Sequence, residues 1–113
     1  MTYFTSEKKE GVVVIRFDFN EINLSQREEL KKALKKLLNG DSHFVFNLSK
    51  LGFLSSLVIA TIVFFAKEIR AKNGDVKLCS LSPESRNVAS IIRLDKIFEI
   101  FEQEKEALDS FNR

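Results

Sequence analysis

Apolar and polar residues alternate along this chain with two different periods. Short runs rich in β-branched and aromatic residues predict strands, and between them apolar residues recur every three or four positions, which predicts helices. The predicted strands are an edge strand over 2–7 and then 12–17, 43–48, 75–81 and 97–101. The predicted helices are 26–38, 56–72, 83–93 and 104–111.

The order of these elements predicts how the sheet is connected. Strands alternate with helices from residue 12 onward, and such crossovers are right-handed and build parallel sheets. The first segment would instead pair antiparallel with 12–17 through a hairpin loop over 8–11. The sequence therefore predicts an α/β fold with a mixed four- to five-stranded sheet, about four helices and one domain over residues 1–113.

Polar residues at the ends of the helical segments predict where each helix begins and stops. Ser25, with Glu28 three positions later, has the spacing of a capping box. Gly40 marks the end of that helix, and Pro83 suits the first turn of a helix that Ser82 caps. The segment 56–72 is rich in β-branched residues, but a strand of that length is improbable, so we predict a helix.

Composition and charge narrow the class of protein. The net charge is +2 and basic residues are mixed with acidic ones, so the chain does not resemble a nucleic-acid-binding protein. The one cysteine, Cys79, and the one histidine, His43, support neither a disulfide framework nor a histidine zinc site. We therefore expect no metal and no cofactor, and we interpret Cys79 as a small core residue.

The sequence also lacks the signals of membrane proteins and enzymes. The N-terminal residues contain no apolar signal peptide, and the apolar helical run 57–66 is about half of the roughly 20 residues needed to span a bilayer. We expect a cytoplasmic protein without direct membrane insertion. No nucleophile–base pair, metal-ligand cluster or glycine-rich phosphate loop has the required spacing, so we predict that the protein is not an enzyme.

Two adjacent serines, Ser55 and Ser56, stand where a loop turns into the apolar helix over 56–72. A hydroxyl at a helix N-terminus caps the free backbone N–H groups, and a phosphate is also well placed there. The residues by themselves leave open whether the pair only caps the helix or accepts a phosphate.

Several local motifs, in a fixed order, resemble a known family. The motifs are Phe46-Asn-Leu48, Phe53-Leu-Ser-Ser-Leu57, Asn73-Gly74, Leu78-Cys-Ser-Leu-Ser-Pro83, Leu94-Asp-Lys-Ile-Phe98 and Glu104-Lys-Glu-Ala-Leu108. Together they resemble STAS domains, the fold shared by anti-sigma factor antagonists and the cytoplasmic tails of sulfate transporters. The length of the chain is more similar to that of the antagonists.

The resemblance implies a partner-switching function. In this family the antagonist binds an anti-sigma factor, which is also a serine kinase, and so releases a sigma factor. The kinase then phosphorylates a serine at the start of the long helix, and a phosphatase resets the cycle. By position, Ser56 is the phosphoacceptor that the resemblance implies, with Ser55 as second choice.

The motif around these serines departs from the family pattern. The family has Asp and Gly where this chain has Leu54 and Leu57, and Asn23 stands where an acid is expected. We therefore predict that Leu54 and Leu57 form a small exposed apolar patch. The predicted partner-binding set is Asn23, Leu54, Ser55, Ser56 and Leu57. The alternative function is an unphosphorylated interaction or scaffold module, in a signalling complex or as an accessory subunit of a membrane transporter.

Overall fold

The computed structural model describes residues 2–112 and contains one five-stranded sheet. The strands are β1 (Phe4–Lys9), β2 (Val12–Phe17), β3 (His43–Asn47), β4 (Asp75–Cys79) and β5 (Ile100–Phe101). The α-helices are α1 (Leu24–Lys35), α2 (Ser56–Ala71), α3 (Pro83–Ile91) and α4 (Glu104–Phe111). Short 3₁₀ turns follow α1 at Lys36–Leu38 and α3 at Leu94–Lys96.

The strands lie in the sheet in the order in which they occur along the chain. The first pair is antiparallel, and the pairs β2–β3, β3–β4 and β4–β5 are parallel. Glu10 and Gly11 both have positive φ (51° and 81°), which matches a two-residue hairpin turn between β1 and β2. The predicted α/β fold with a mixed sheet and four helices is confirmed.

The larger core fills the space between the sheet and the helices α1, α2 and α3. Alternate residues of the central strands point into it, as the two-residue period of a strand requires. Its strand residues include Val13, Ile15, Phe17, Phe44, Phe46, Val76 and Leu78, and its helix residues include Leu30, Leu34, Val58, Ile62, Phe65 and Ala89. Many of these side chains are fully buried, so this face carries most of the apolar burial that stabilises the fold.

The opposite face of the sheet is covered by α4, which packs against β3, β4 and β5. Its core is smaller and consists of Val12, Val14, Val45, Cys79, Ala107 and Leu108. Cys79 is fully buried, as predicted for a small core residue. Burial raises the pKa of its thiol to about 11, so the thiol is protonated and unreactive near neutral pH.

Several predicted boundaries were wrong. Helix α1 begins at Leu24, because Asn23 is the N-cap and exchanges both hydrogen bonds of a capping box with Gln26. Ser25 therefore lies inside the first turn and does not cap the helix. The last strand is shorter than the predicted 97–101, because Phe98 turns into the core and only Ile100–Phe101 pairs with β4.

The ends of α2 and α4 agree closely with the sequence prediction. Helix α4 spans Glu104–Phe111, and α2 stops at Ala71 before Asn73 and Gly74. A Cβ atom at Gly74 would lie 2.3 Å from the carbonyl oxygen of Ser42, so only glycine fits this crossing from α2 into β4. Within residues 2–112, none of the helices has the length and apolar character needed to cross a membrane.

Candidate functional site

Three loops and three helix N-termini meet at one edge of the sheet. Since β2, β3 and β4 are parallel, their carboxyl ends lie side by side, and the helix that follows each one begins there. We call this surface the carboxyl edge and define it as residues 18–24 and 48–57 together with Ser82. The N-caps of α1, α2 and α3 are Asn23, Ser55 and Ser82. The positive ends of three helix dipoles therefore point toward this surface.

Hydrogen bonds through Gly52 fix the loop between β3 and α2. The backbone N–H of Gly52 donates to Oδ1 of Asn20, at 3.3 Å. The carbonyl oxygen of Gly52 accepts from the Oγ hydroxyl of Ser82, at 3.1 Å. The loop that precedes Ser55 is thus held between the loop after β2 on one side and the start of α3 on the other.

The structure shows that the two serines, which the sequence could not distinguish, have different surroundings. Ser55 is half-buried, and its Oγ accepts a hydrogen bond from the backbone N–H of Val58 at 3.2 Å. Ser56 is the first helical residue and is exposed, and its hydroxyl makes no hydrogen bond to any residue in the described range 2–112. Ser55 is therefore the cap, and Ser56 presents the free hydroxyl.

The prediction that Leu54 and Leu57 form an exposed apolar patch was wrong. Leu54 is only 1% exposed and belongs to the larger core, so its side chain is not available to a partner. Leu57 is half-buried. The physical reason is that the side chain of Leu54 packs into the core and holds the loop in place below the helix cap. The hydroxyls of the next two residues point away from the core.

The exposed apolar side chains at this edge are residues that the sequence prediction did not select. Phe53 is 54% exposed and Leu24 is 70% exposed. Phe53 lines a cavity of about 360 Å³ together with Asn20, Glu21 and Gly52. A large aromatic residue in a short surface loop was the signal available in the sequence, because loops normally lie at the surface.

The remaining predicted residue, Asn23, lies at the same edge and is exposed. Its side chain is occupied in capping α1, and Arg27 of the same helix donates to Oγ1 of Thr61 in α2 at 2.9 Å. Neither α1 nor α2 has an acidic residue in its first turn. The positive dipole ends of α1 and α2 are therefore not offset by a carboxylate in the first turn of either helix.

The chemistry available at the carboxyl edge is that of a surface hydroxyl beside apolar side chains. Across the part of the chain that the structure describes, no group of three or more His, Cys, Asp and Glu residues is arranged to hold a metal ion. His43 lies at the start of β3, toward the opposite edge of the sheet, and stacks on Phe111 with ring centroids 4.6 Å apart.

Comparison with known proteins places this architecture in a family. The model of the STAS domain family matches residues 3–107, and the chain belongs to this family. A curated relative, a candidate anti-sigma factor antagonist named BtrV from Bordetella bronchiseptica, is 26% identical over 108 residues. That match covers 95% of this chain and 92% of the relative.

Solved structures share the same fold. A candidate anti-sigma factor antagonist of Thermotoga maritima superposes with a TM-score of 0.87 at 26% identity, over 97% of this chain and 95% of that one. The anti-sigma factor antagonist SpoIIAA of Bacillus, in its unphosphorylated form, gives a TM-score of 0.75 at 23% identity, over 96% of each chain. The latter similarity supports the fold alone.

Proposed function

We propose that this protein is an anti-sigma factor antagonist that binds an anti-sigma factor through its carboxyl edge and releases it when Ser56 is phosphorylated. The observation that carries the proposal is the hydroxyl of Ser56 at the first position of α2, which is exposed and makes no hydrogen bond to any residue from 2 to 112. The relatives named as antagonists support the partner class. We expect the anti-sigma factor to be the serine kinase itself, its capture by this protein to free a sigma factor, and a phosphatase to reset the cycle.

The surface around Ser56 has the composition of a protein contact. Phe53 and Leu24 are large apolar side chains that remain exposed in the isolated chain. Aromatic residues are enriched at interface centres, where a few well-packed side chains carry most of the binding energy. We expect Phe53 to enter an apolar pocket of the anti-sigma factor, with Ser56 near the centre of the contact.

Phosphorylation would act directly on that contact. A phosphate adds about −1.5 to −2 charges near neutral pH, and burying it against an apolar surface is unfavourable. Within this chain the charge would be accommodated by the N-terminus of α2 without refolding. A loss of about 1.4 kcal/mol in binding free energy lowers the affinity tenfold. Weakening this one interface is therefore sufficient to switch partner binding off. A fold relative, SpoIIAA, has been solved in both unphosphorylated and phosphorylated forms.

The test is the affinity of the cognate anti-sigma factor for wild type, Ser56→Asp and Ser56→Ala. We expect Ser56→Asp to weaken binding by about tenfold or more and Ser56→Ala to bind like wild type. Ser42→Asp is the matched control, since Ser42 is exposed and precedes β3 at the opposite edge of the sheet. It should bind normally.

A second measurement tests the modification itself. After incubation with the kinase and ATP, intact mass spectrometry should show one added phosphate on wild type and none on Ser56→Ala. Equal binding by wild type and Ser56→Asp would overturn the proposed switch. A phosphate retained on Ser56→Ala would place the modification elsewhere.

A further inference from the structure

A second concave surface lies between α3 and the short edge strand β5. It encloses about 520 Å³ and is lined by Leu81, Arg86, Ala89, Ser90, Arg93, Asp95 and Ile100. A smaller cavity of about 210 Å³ shares three of these residues and extends to Phe101 and Glu102. We call the two together the α3–β5 groove. It shares no residue with the carboxyl edge, and its main volume is in the range of about 300–1,000 Å³ typical of small-molecule sites.

We propose that the α3–β5 groove binds a small amphiphilic anion, with a short apolar body and a carboxylate or phosphate head group. The apolar part of the site is its floor. Leu81 and Ala89 belong to the core and are buried, and Ile100 is half-buried against it. Methylene groups placed on this floor would be removed from water, which favours binding.

The head group is selected by two arginines. Arg86 and Arg93 line the main cavity together with Asp95, and Glu102 lines the smaller cavity, so the groove as a whole has two arginines and two carboxylates. Guanidinium groups bind carboxylates and phosphates with paired hydrogen bonds, which favours an anion over a neutral polar group.

The ion pairs that these arginines make now are weak enough to be exchanged. Arg86 contacts Glu102 at 3.2 Å, and Arg93 contacts Asp95 at 3.7 Å. All four side chains are more than half exposed, and ion pairs between exposed side chains contribute little to stability. A ligand anion that is partly shielded in the groove would therefore compete well for either guanidinium.

The backbone of Arg93 adopts a conformation that favours glycine. Arg93 follows the C-cap of α3 with φ 58° and ψ 44°, the left-handed conformation in which helices usually place glycine. A residue with a Cβ atom is strained in this conformation. Arg93→Gly is therefore a substitution that this backbone conformation accepts.

The experiment titrates the full chain with octanoate, octyl phosphate and 1-octanol, followed by amide chemical shifts in ¹H–¹⁵N spectra. The three probes have the same apolar chain, so comparing them isolates the head group. We expect the anions to shift the signals of Ala89, Ser90 and Ile100, and to bind about tenfold or more tightly than 1-octanol. The stronger of the two anions identifies the head group as carboxylate or phosphate.

Arg93→Gly is the decisive variant because it removes the guanidinium and also relieves the backbone strain. It should fold at least as stably as wild type and bind the preferred anion about five- to tenfold more weakly. Lys67→Gln is the control, since Lys67 is an exposed cation on α2 and its loss should leave affinity unchanged.

Three results would overturn the proposal, which does not depend on the proposed antagonist function. The first is equal affinity for octanoate, octyl phosphate and 1-octanol. The second is the absence of shifts at the groove residues when the anions are present at millimolar concentration. The third is unchanged anion affinity in a well-folded Arg93→Gly variant.

Discussion

Two helices of this protein begin with a polar side chain at the first helical position, and the two side chains have different surroundings. Glu104 opens α4, and its carboxylate accepts two hydrogen bonds from Arg16, at 2.9 and 2.8 Å, and one from Asn47 at 2.9 Å. Ser56 opens α2, and its hydroxyl is free of hydrogen bonds within residues 2–112.

The difference shows which polar groups stabilise the fold and which remain available for function. The hydrogen bonds from Arg16 and Asn47 hold the pKa of Glu104 below its usual range, so the carboxylate is ionised and fixed in place. A phosphate on Ser56 would put a larger negative charge, about −1.5 to −2, at the start of α2, where no arginine side chain of residues 2–112 is hydrogen-bonded to Ser56. That charge would face solvent or a bound protein, as a regulatory group requires.

The largest expected loss of stability comes from the buried residue that supports the loop before Ser55 and Ser56. Leu54 is buried directly before the two serines, so Leu54→Ala should lower the free energy of unfolding by about 3 kcal/mol, measured by urea denaturation. Phe53→Ala changes an exposed neighbour and should stay within about 0.5 kcal/mol of wild type. Equal destabilisation by the two variants would contradict the inward orientation of Leu54.

A smaller loss of stability is expected at Glu104, the hydrogen-bonded first residue of α4. Glu104→Ala removes the acceptor for Arg16 and Asn47 and should cost about 2 kcal/mol of unfolding free energy, because hydrogen bonds to charged groups are among the stronger ones. Partner binding at the carboxyl edge should be unchanged. If Glu104→Ala were as stable as wild type, the network on the α4 face would have no structural role.

The contribution of Glu104 to stability should change with pH in a direction that follows from its pKa. The pKa of Glu104 is lower in the folded than in the unfolded chain, so its ionised form contributes stability above the unfolded pKa of about 4.3. This contribution is lost as the pH falls through the lowered folded pKa. The stability difference between wild type and Glu104→Gln should therefore be constant near neutral pH and shrink in acid, which thermal denaturation across a pH series would measure.

The smallest effects compare the two serines themselves. Ser55→Ala removes the N-cap of α2 and should lower stability by about 1 kcal/mol. Ser56→Ala removes a hydroxyl that has no hydrogen-bond partner among the described residues and should change stability by less than about 0.5 kcal/mol. Thermal denaturation of both variants checks this order, and the reverse order would mean that the cap is assigned to the wrong serine.

Much of the fold was predictable, because its signals are local and periodic. The strand over Val12–Phe17 and the helix over Glu104–Phe111 have the predicted boundaries, and Pro83 opens α3 after its Ser82 cap. Hydrophobic periodicity and helix-capping residues depend on a few neighbouring positions, so both can be recognised from the sequence alone. The α1 cap was harder, because two candidates two residues apart, Asn23 and Ser25, both have a Gln or Glu three positions later.

The position of the candidate site was predictable as well, but the roles of its residues were not. Both serines of the pair are short and polar, and the sequence does not distinguish a capping hydroxyl from a free one. That difference depends on the exact residue at which α2 begins. The exposure of Phe53 depends in the same way on the course of its loop, which is fixed where Gly52 donates a hydrogen bond to the distant Asn20 and accepts one from the distant Ser82.

The sequence by itself determined the order of strands and helices, the mixed sheet and the helix N-terminus at which Ser55 and Ser56 lie. The tertiary structure alone decided that Leu54 is buried, that Phe53 is exposed and that Ser56 has the free hydroxyl. It also brought Arg86 and Arg93 beside Ile100 to form the α3–β5 groove. The physical reason is that periodicity reports which residues must leave water, whereas the direction of a loop side chain depends on contacts with residues far away in the chain.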